Sequence, residues 1–154
     1  HDLCRRQRQM CIRDRDHCVA TGAGWFDDAD RLAAAFQRPM AHARAAITDD
    51  TTLVIGSSFG GAVLLKLLCE GGWSGPSIFL AGAGLKLTPH RALPAGTKAI
   101  LIHGRHDPVV PLADSRILAA SGGVPLWEVE DEHRLVSVLQ DGTLAAAIGM
   151  LLPK

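Results

Sequence analysis

Leu53-Val54-Ile55-Gly56-Ser57-Ser58-Phe59-Gly60-Gly61-Ala62-Val63-Leu64 passes from an apolar, β-branched run through a glycine-rich turn into a helical pattern. Leu53–Ile55 predicts a buried strand, and Ala62–Glu70 predicts a helix ended by Gly71-Gly72. Between them Gly56-Ser57-Ser58-Phe59-Gly60 fits the pattern G-x-S-x-G. A strand that becomes a helix within so few residues must bend sharply, so Ser58 is expected in a strained backbone conformation. The positions two before and two after Ser58 then pass close together, and a Cβ at Gly56 or Gly60 is expected to clash. The turn lifts the Ser58 hydroxyl to the carboxyl edge of the sheet. It also sets the hydroxyl at a helix N-terminus, where the dipole favours negative charge. A phosphate loop would need Lys and Ser or Thr after its last glycine; Ala62-Val63 follow Gly61 instead, which excludes it.

Working outward, strands and helices alternate. Asp27–Phe36 predicts a helix that Pro39 kinks or ends, and Met40–Ile47 resumes the pattern. Ser77–Ala81, Ala99–His103 and Leu126–Val129 predict further strands; Leu112–Ala120, Leu135–Leu139 and Gly142–Leu151 predict helices. Residues 82–97 are rich in Gly and Pro and predict a loop. Strands that are almost wholly apolar are covered on both faces, so the expected fold class is α/β, a three-layer sandwich around a mostly parallel sheet.

The chain has 154 residues, 47% apolar and 21% charged, which suits one globular domain rather than two or a disordered tail. Acids and bases balance at 16 each, but five of the bases and two of the acids lie in residues 1–15. The remainder is mildly acidic, which argues against nucleic acid as a partner. No apolar run reaches membrane-spanning length, so no membrane partner is expected.

The Arg-rich start needs its own explanation. Arg5–Arg15 reads R-R-Q-R-Q-M-C-I-R-D-R, which resembles the translation of a transposase adapter used to prepare sequencing libraries. We therefore expect residues 1–15 to be a non-native or disordered segment and residues 16–154 to be the domain. His17–Ala20 predicts a short strand. Without Cys4 and Cys11, only Cys18 and Cys69 remain. Two thiols form no disulfide framework, and a cytoplasmic protein is expected.

A hydroxyl at its free pKa is a poor nucleophile and needs a base held by an acid. Asp107 follows the third strand in His103-Gly104-Arg105-His106-Asp107-Pro108-Val109-Val110-Pro111, and His133 follows the fourth in Asp131-Glu132-His133. Both lie just after the carboxyl ends of expected parallel strands, where sites in open α/β sheets gather. Glu130, Asp131 and Glu132 are competing acids, but neighbours on a short turn reach poorly under an imidazole. His42 and His90 are expected on the surface. His103, His106, Asp107 and His133 are metal-ligand types, but a His ending a buried strand is expected to bond locally, so no metal is expected.

The "GSSFGG" turn, the "HGRHDPVVP" loop and the "DEHRL" turn together resemble motifs of the α/β-hydrolase superfamily, in particular its small capless esterases. The resemblance runs from about residue 16 to the end. It implies Ser58 as nucleophile, His133 as general base and then acid, Asp107 as the residue that orients it, and the Phe59 amide as an oxyanion donor. It implies no cofactor. The expected activity is hydrolysis of small carboxylic esters through an acyl-enzyme. The alternatives are a thioesterase, amidase or acyltransferase with the same three residues, or an inert binding module. The expected partner is a small acyl substrate, with Leu85, Leu87 and Phe59 as pocket walls. Such enzymes usually open with a strand ending in His-Gly, whose following loop gives the second oxyanion N–H. No such segment precedes Ser58, so an N-terminal truncation that impairs activity is expected.

Overall fold

Four short runs form strands because each has apolar side chains for two faces rather than one. The computed structural model describes residues 28–152. In chain order these residues form α1 (Ala29–Ala46), β1 (Val54–Ser57), α2 (Phe59–Cys69), β2 (Ser77–Leu80) and α3 (Gly84–Leu87). They continue as β3 (Ala99–Gly104), α4 (Leu112–Gly122), β4 (Leu126–Val129), α5 (Val136–Gln140) and α6 (Thr143–Leu151). The expected strand at His17–Ala20 and the adapter-like segment lie outside the described residues.

The strands stand in the order β1-β2-β3-β4, and every pairing is parallel. Their side chains divide by the period of two. Phe79 and Leu101 face one way and pack with Leu64, Leu65 and Leu68 of α2, Leu85 of α3, and Leu118 and Ala119 of α4. Ile78, Leu80, Ile100 and Ile102 face the other way and pack with Val138 of α5 and with Ala147, Leu144 and Ile148 of α6. Helices therefore cover both faces of a parallel sheet, and the architecture is the α/β three-layer sandwich that the apolar strands implied.

Register matters more than layering for the site. Ser57 pairs with Leu80, Leu80 with Ile102, and Gly104 with Val129. The carboxyl ends of all four strands thus share one edge. The loops after β1, β3 and β4 carry Ser58, Asp107 and His133 to that edge.

The chain divides into two units, residues 1–37 and 38–154. In the first, Asp28 Oδ1 accepts the backbone N–H groups of Asp30 and Arg31 and so starts α1. One expectation is narrowed and one needs correction. Pro39 lies inside α1 without ending it; its flanks are rich in alanine, the strongest helix former, which offsets a mid-helix proline. Residues 82–97 are not all loop, because Gly84–Leu87 forms α3. A Cβ on Gly84 would lie 2.7 Å from Leu65 Cδ2, so this turn of helix sits close against α2. No helix among the described residues is long and apolar enough to cross a membrane.

Candidate active site

The turn between β1 and α2 consumes a single residue. Ser58 has φ 52° and ψ −116°, in the left-handed half of backbone space that a side chain disfavours. Its own backbone holds it there: Ser58 N–H donates to the Leu80 carbonyl, and the Ser58 carbonyl accepts from Gly61 and Ala83. The helix begins at Phe59 rather than Ala62, so Ser58 stands directly at its N-terminus.

The glycines divide differently from the pattern. A Cβ on Gly56 would lie 2.5 Å from the Gly60 carbonyl oxygen, as the sharp bend requires, but a Cβ on Gly60 would meet nothing within 4 Å. The second forbidden position is Gly61, where a Cβ would sit 2.5 Å from Gly82 Cα. Gly61→Ala is therefore expected to destabilise the protein by about 1–3 kcal/mol, because backbone must move. Gly60→Ala is expected to be neutral or to stabilise by up to about 1 kcal/mol through helix propensity. Urea denaturation of the two variants checks this; equal midpoints would contradict it.

Ser58, His133 and Asp107 come together in one hydrogen-bonded line. Ser58 Oγ lies 2.9 Å from His133 Nε2, and His133 Nδ1 lies 2.8 Å from Asp107 Oδ2. A carboxylate only accepts, so Nδ1 carries the proton and Nε2 of the neutral ring is left to accept from the serine hydroxyl. The Asp107 side chain is fully buried, and that of His133 is 21% exposed. The other carboxylate oxygen, Oδ1, accepts the N–H groups of Val109 (2.8 Å) and Val110 (2.9 Å).

No protein-family model matches the chain, and no curated protein matches it. Solved structures do. One is a protein from Xanthomonas campestris pv. campestris assigned to the alpha/beta superfamily of hydrolases. It matches with a TM-score of 0.60 and 25% identity, over 78% of this chain and 69% of its own. A second, from Pectobacterium atrosepticum and assigned as a YdeN-like hydrolase, matches with a TM-score of 0.53 and 18% identity, over 82% and 72%. The chain has an α/β-hydrolase-like fold. That fold carries its loops at the carboxyl edge, where the three residues meet.

Around this edge two of the three competing acids are occupied elsewhere. Glu130 pairs with Arg105 (3.1 Å) and His106 (2.8 Å) at the surface. Asp131 Oδ2 accepts both the N–H and the hydroxyl of Ser137 at 2.7 Å, which ties the turn carrying His133 to the start of α5. Gly104 was not singled out by the sequence, yet it sets the same turn. A Cβ there would collide with the backbone of Asp131 and Glu132. His106 N–H also donates to the Asp131 carbonyl.

The expected pocket walls fare less well. Leu85 is buried in the core, packed among residues of α2 and α4. Leu87 is buried on the same short helix. Phe59 is half-buried beside Ser58. His90 is not a plain surface residue either: its side chain is half-buried, with Nε2 3.6 Å from Glu70 Oε1. Among the described residues no cluster of His, Cys, Asp or Glu has the arrangement to hold a metal ion.

Burial pushes the pKa of Asp107 up, but the Val110 amide, the His133 imidazole and the Val109 amide outweigh it, so the carboxyl rests below its ordinary value. A carboxyl that folding makes more acidic adds stability above its unfolded pKa, near 4. It loses that contribution as pH falls through the folded value. Asp107→Asn should therefore be less stable than wild type at neutral pH, with a gap that narrows on acidification below about pH 4. Denaturant titrations across pH check this, and a gap that widens in acid would contradict it.

Proposed function

We propose that the protein is a serine hydrolase that cleaves small carboxylic esters through an acyl-enzyme. The observation that carries the reading is the line Ser58–His133–Asp107, at 2.9 and 2.8 Å, with the serine on a strained turn at a helix N-terminus. Ser58 Oγ attacks the ester carbonyl carbon while its proton passes to His133 Nε2. Asp107 keeps the proton of His133 on Nδ1 and stabilises the imidazolium that forms. Negative charge gathers on the former carbonyl oxygen near the start of α2, where the Phe59 amide serves as oxyanion donor and the helix dipole helps. Collapse of this intermediate breaks the ester C–O bond, and His133 returns the proton to the departing alcohol. Water then repeats the sequence against the acyl-enzyme, with His133 again taking and returning a proton.

The first test is labelling with a fluorophosphonate probe. The expected result is one labelled serine, Ser58, and no label in Ser58→Ala. A wild-type chain that stays unlabelled would support the alternative of an inert binding module. Product analysis on matched ester, thioester and amide panels then ranks the acyl groups.

Short acyl chains suit this site better than long ones. The expected loop is too short for a large helical cap, and in its helical part Gly84, Leu85 and Leu87 are buried, with Leu85 packed in the core. Acetate and butyrate esters are thus expected to turn over faster than esters of long fatty acids. Faster hydrolysis of the long chains would count against the short-acyl assignment.

A further inference from the structure

One fully buried imidazole takes no part in the proposed proton transfers. His103 lies on β3 with no exposed surface. Its Nδ1 is 2.6 Å from Ser115 Oγ on α4, and its Nε2 is 3.0 Å from the Val110 carbonyl oxygen. The same Nε2 lies 3.2 Å from Asp107 Oδ2, the oxygen that faces His133. Ser115 and Val110 are themselves buried.

These partners fix the chemistry of the ring. A carbonyl and a carboxylate both only accept, so Nε2 must carry a proton, and Nδ1 of the neutral ring then accepts from the Ser115 hydroxyl. The N–H aims at Val110, with Asp107 Oδ2 close beside that line. Val110 is thus held at both ends. Its N–H donates to Asp107 Oδ1, and its carbonyl accepts from His103. The turn from Asp107 to Val110 is closed into a loop of hydrogen bonds, and this imidazole links that loop to the sheet interior.

We infer that His103, held in one tautomer by the two acceptors that face its Nε2, is a positioning residue that holds the Asp107 carboxylate in line with His133. The inference rests on the hydrolase reading for its effect on turnover, but not for its effect on geometry. Without the His103 donor, the Val110 carbonyl is left buried and unpaired. The turn then relaxes to find another donor, and the carboxylate swings off the axis of the His133 Nδ1–H bond. Packing alone does not require this arrangement, because an apolar side chain of similar size would fill the same space.

The test compares His103→Gln with His103→Asn in the full chain. The Gln amide reaches as far as Nε2 and can donate to Val110. The Asn amide stops near Nδ1, keeping Ser115 but losing Val110. Two readouts are taken: the low-field proton resonance of the His133 Nδ1–H, assigned by its loss in His133→Ala, and kcat and KM on a butyrate ester per probe-titrated site. The expected result is that Asn loses or strongly shifts the resonance and lowers kcat about 10- to 100-fold with KM little changed, while Gln keeps the resonance and most of kcat. An Asn variant with the wild-type resonance and wild-type kcat per site, whatever its melting temperature, would reduce His103 to a packing residue and overturn the inference. Should the Asn variant fail to fold, Ser115→Ala decides: removing the hydroxyl that anchors the ring at Nδ1 is expected to weaken the resonance and lower kcat several-fold, and an unchanged spectrum and rate would overturn the inference. A wild type that fails to label at Ser58 sinks the hydrolase reading instead, and the resonance alone then settles the geometry.

Discussion

Ser58→Ala is expected to remain folded and to lose kcat on the order of 10⁴–10⁶-fold, leaving only what binding and the oxyanion donor supply. The size of the loss follows from the position of the hydroxyl, 2.9 Å from the base in line with it. Alanine removes the attacking atom but not the strain, because its Cβ still sits at φ 52°. Ser58→Gly should be just as inactive and yet more stable than Ser58→Ala, by about 1 kcal/mol, since glycine occupies that backbone region without penalty. Steady-state kinetics and thermal melts on the two variants test both halves. Activity in either variant near that of wild type would remove Ser58 from the chemistry. A glycine variant less stable than the alanine one would show that the turn stores no strain.

Asp107→Asn carries the second large expectation, a fall in kcat of about 10⁴-fold with little change in KM. Oδ1 accepts two backbone N–H groups and Oδ2 accepts the His133 Nδ1 proton. An asparagine has one carbonyl to meet both demands. If its oxygen serves Val109 and Val110, its NH₂ faces His133, and the imidazole must move its proton to Nε2. A ring protonated on Nε2 cannot take the serine proton. If the oxygen serves His133 instead, the NH₂ opposes two amide donors in a buried site, at a cost of about 1–3 kcal/mol for each unmade bond. The measurement is kcat against KM on a short ester, with probe labelling in parallel. Loss of rate with slow residual labelling fits the tautomer argument; a rate within tenfold of wild type would contradict it.

The site was legible in the sequence to the extent that it depends on order along the chain. Ser58, Asp107 and His133 each come after an apolar run, and parallel strands must deliver the loops at their carboxyl ends to one edge. Contacts between distant main-chain segments were not legible. Gly60 was expected to be crowded because its spacing from Ser58 suggested it, whereas Gly61 is crowded by Gly82, a partner that no spacing rule names. Leu85 looked like a pocket wall because it sat in a Gly- and Pro-rich stretch; a short helix turns it into the core instead. His103 read as a strand end that bonds locally, whereas its partners lie on α4 and on the following turn, a reach that depends on how that turn doubles back. The continuation of α1 through Pro39 shows the same limit from the other side, where alanine-rich flanks override a local breaker.

At Gly104 the end of β3 and the segment bearing His133 meet main chain to main chain, with no side chain between them. A joint of that kind cannot be loosened or tightened by degrees, because there is nothing to trim or enlarge. The end of β3 and the segment bearing His133 are therefore inherited as one rigid casting. Directed evolution of the proposed activity should find its productive changes around Ser58, and a histidine segment grafted from another protein should work only if residues 99–104 travel with it.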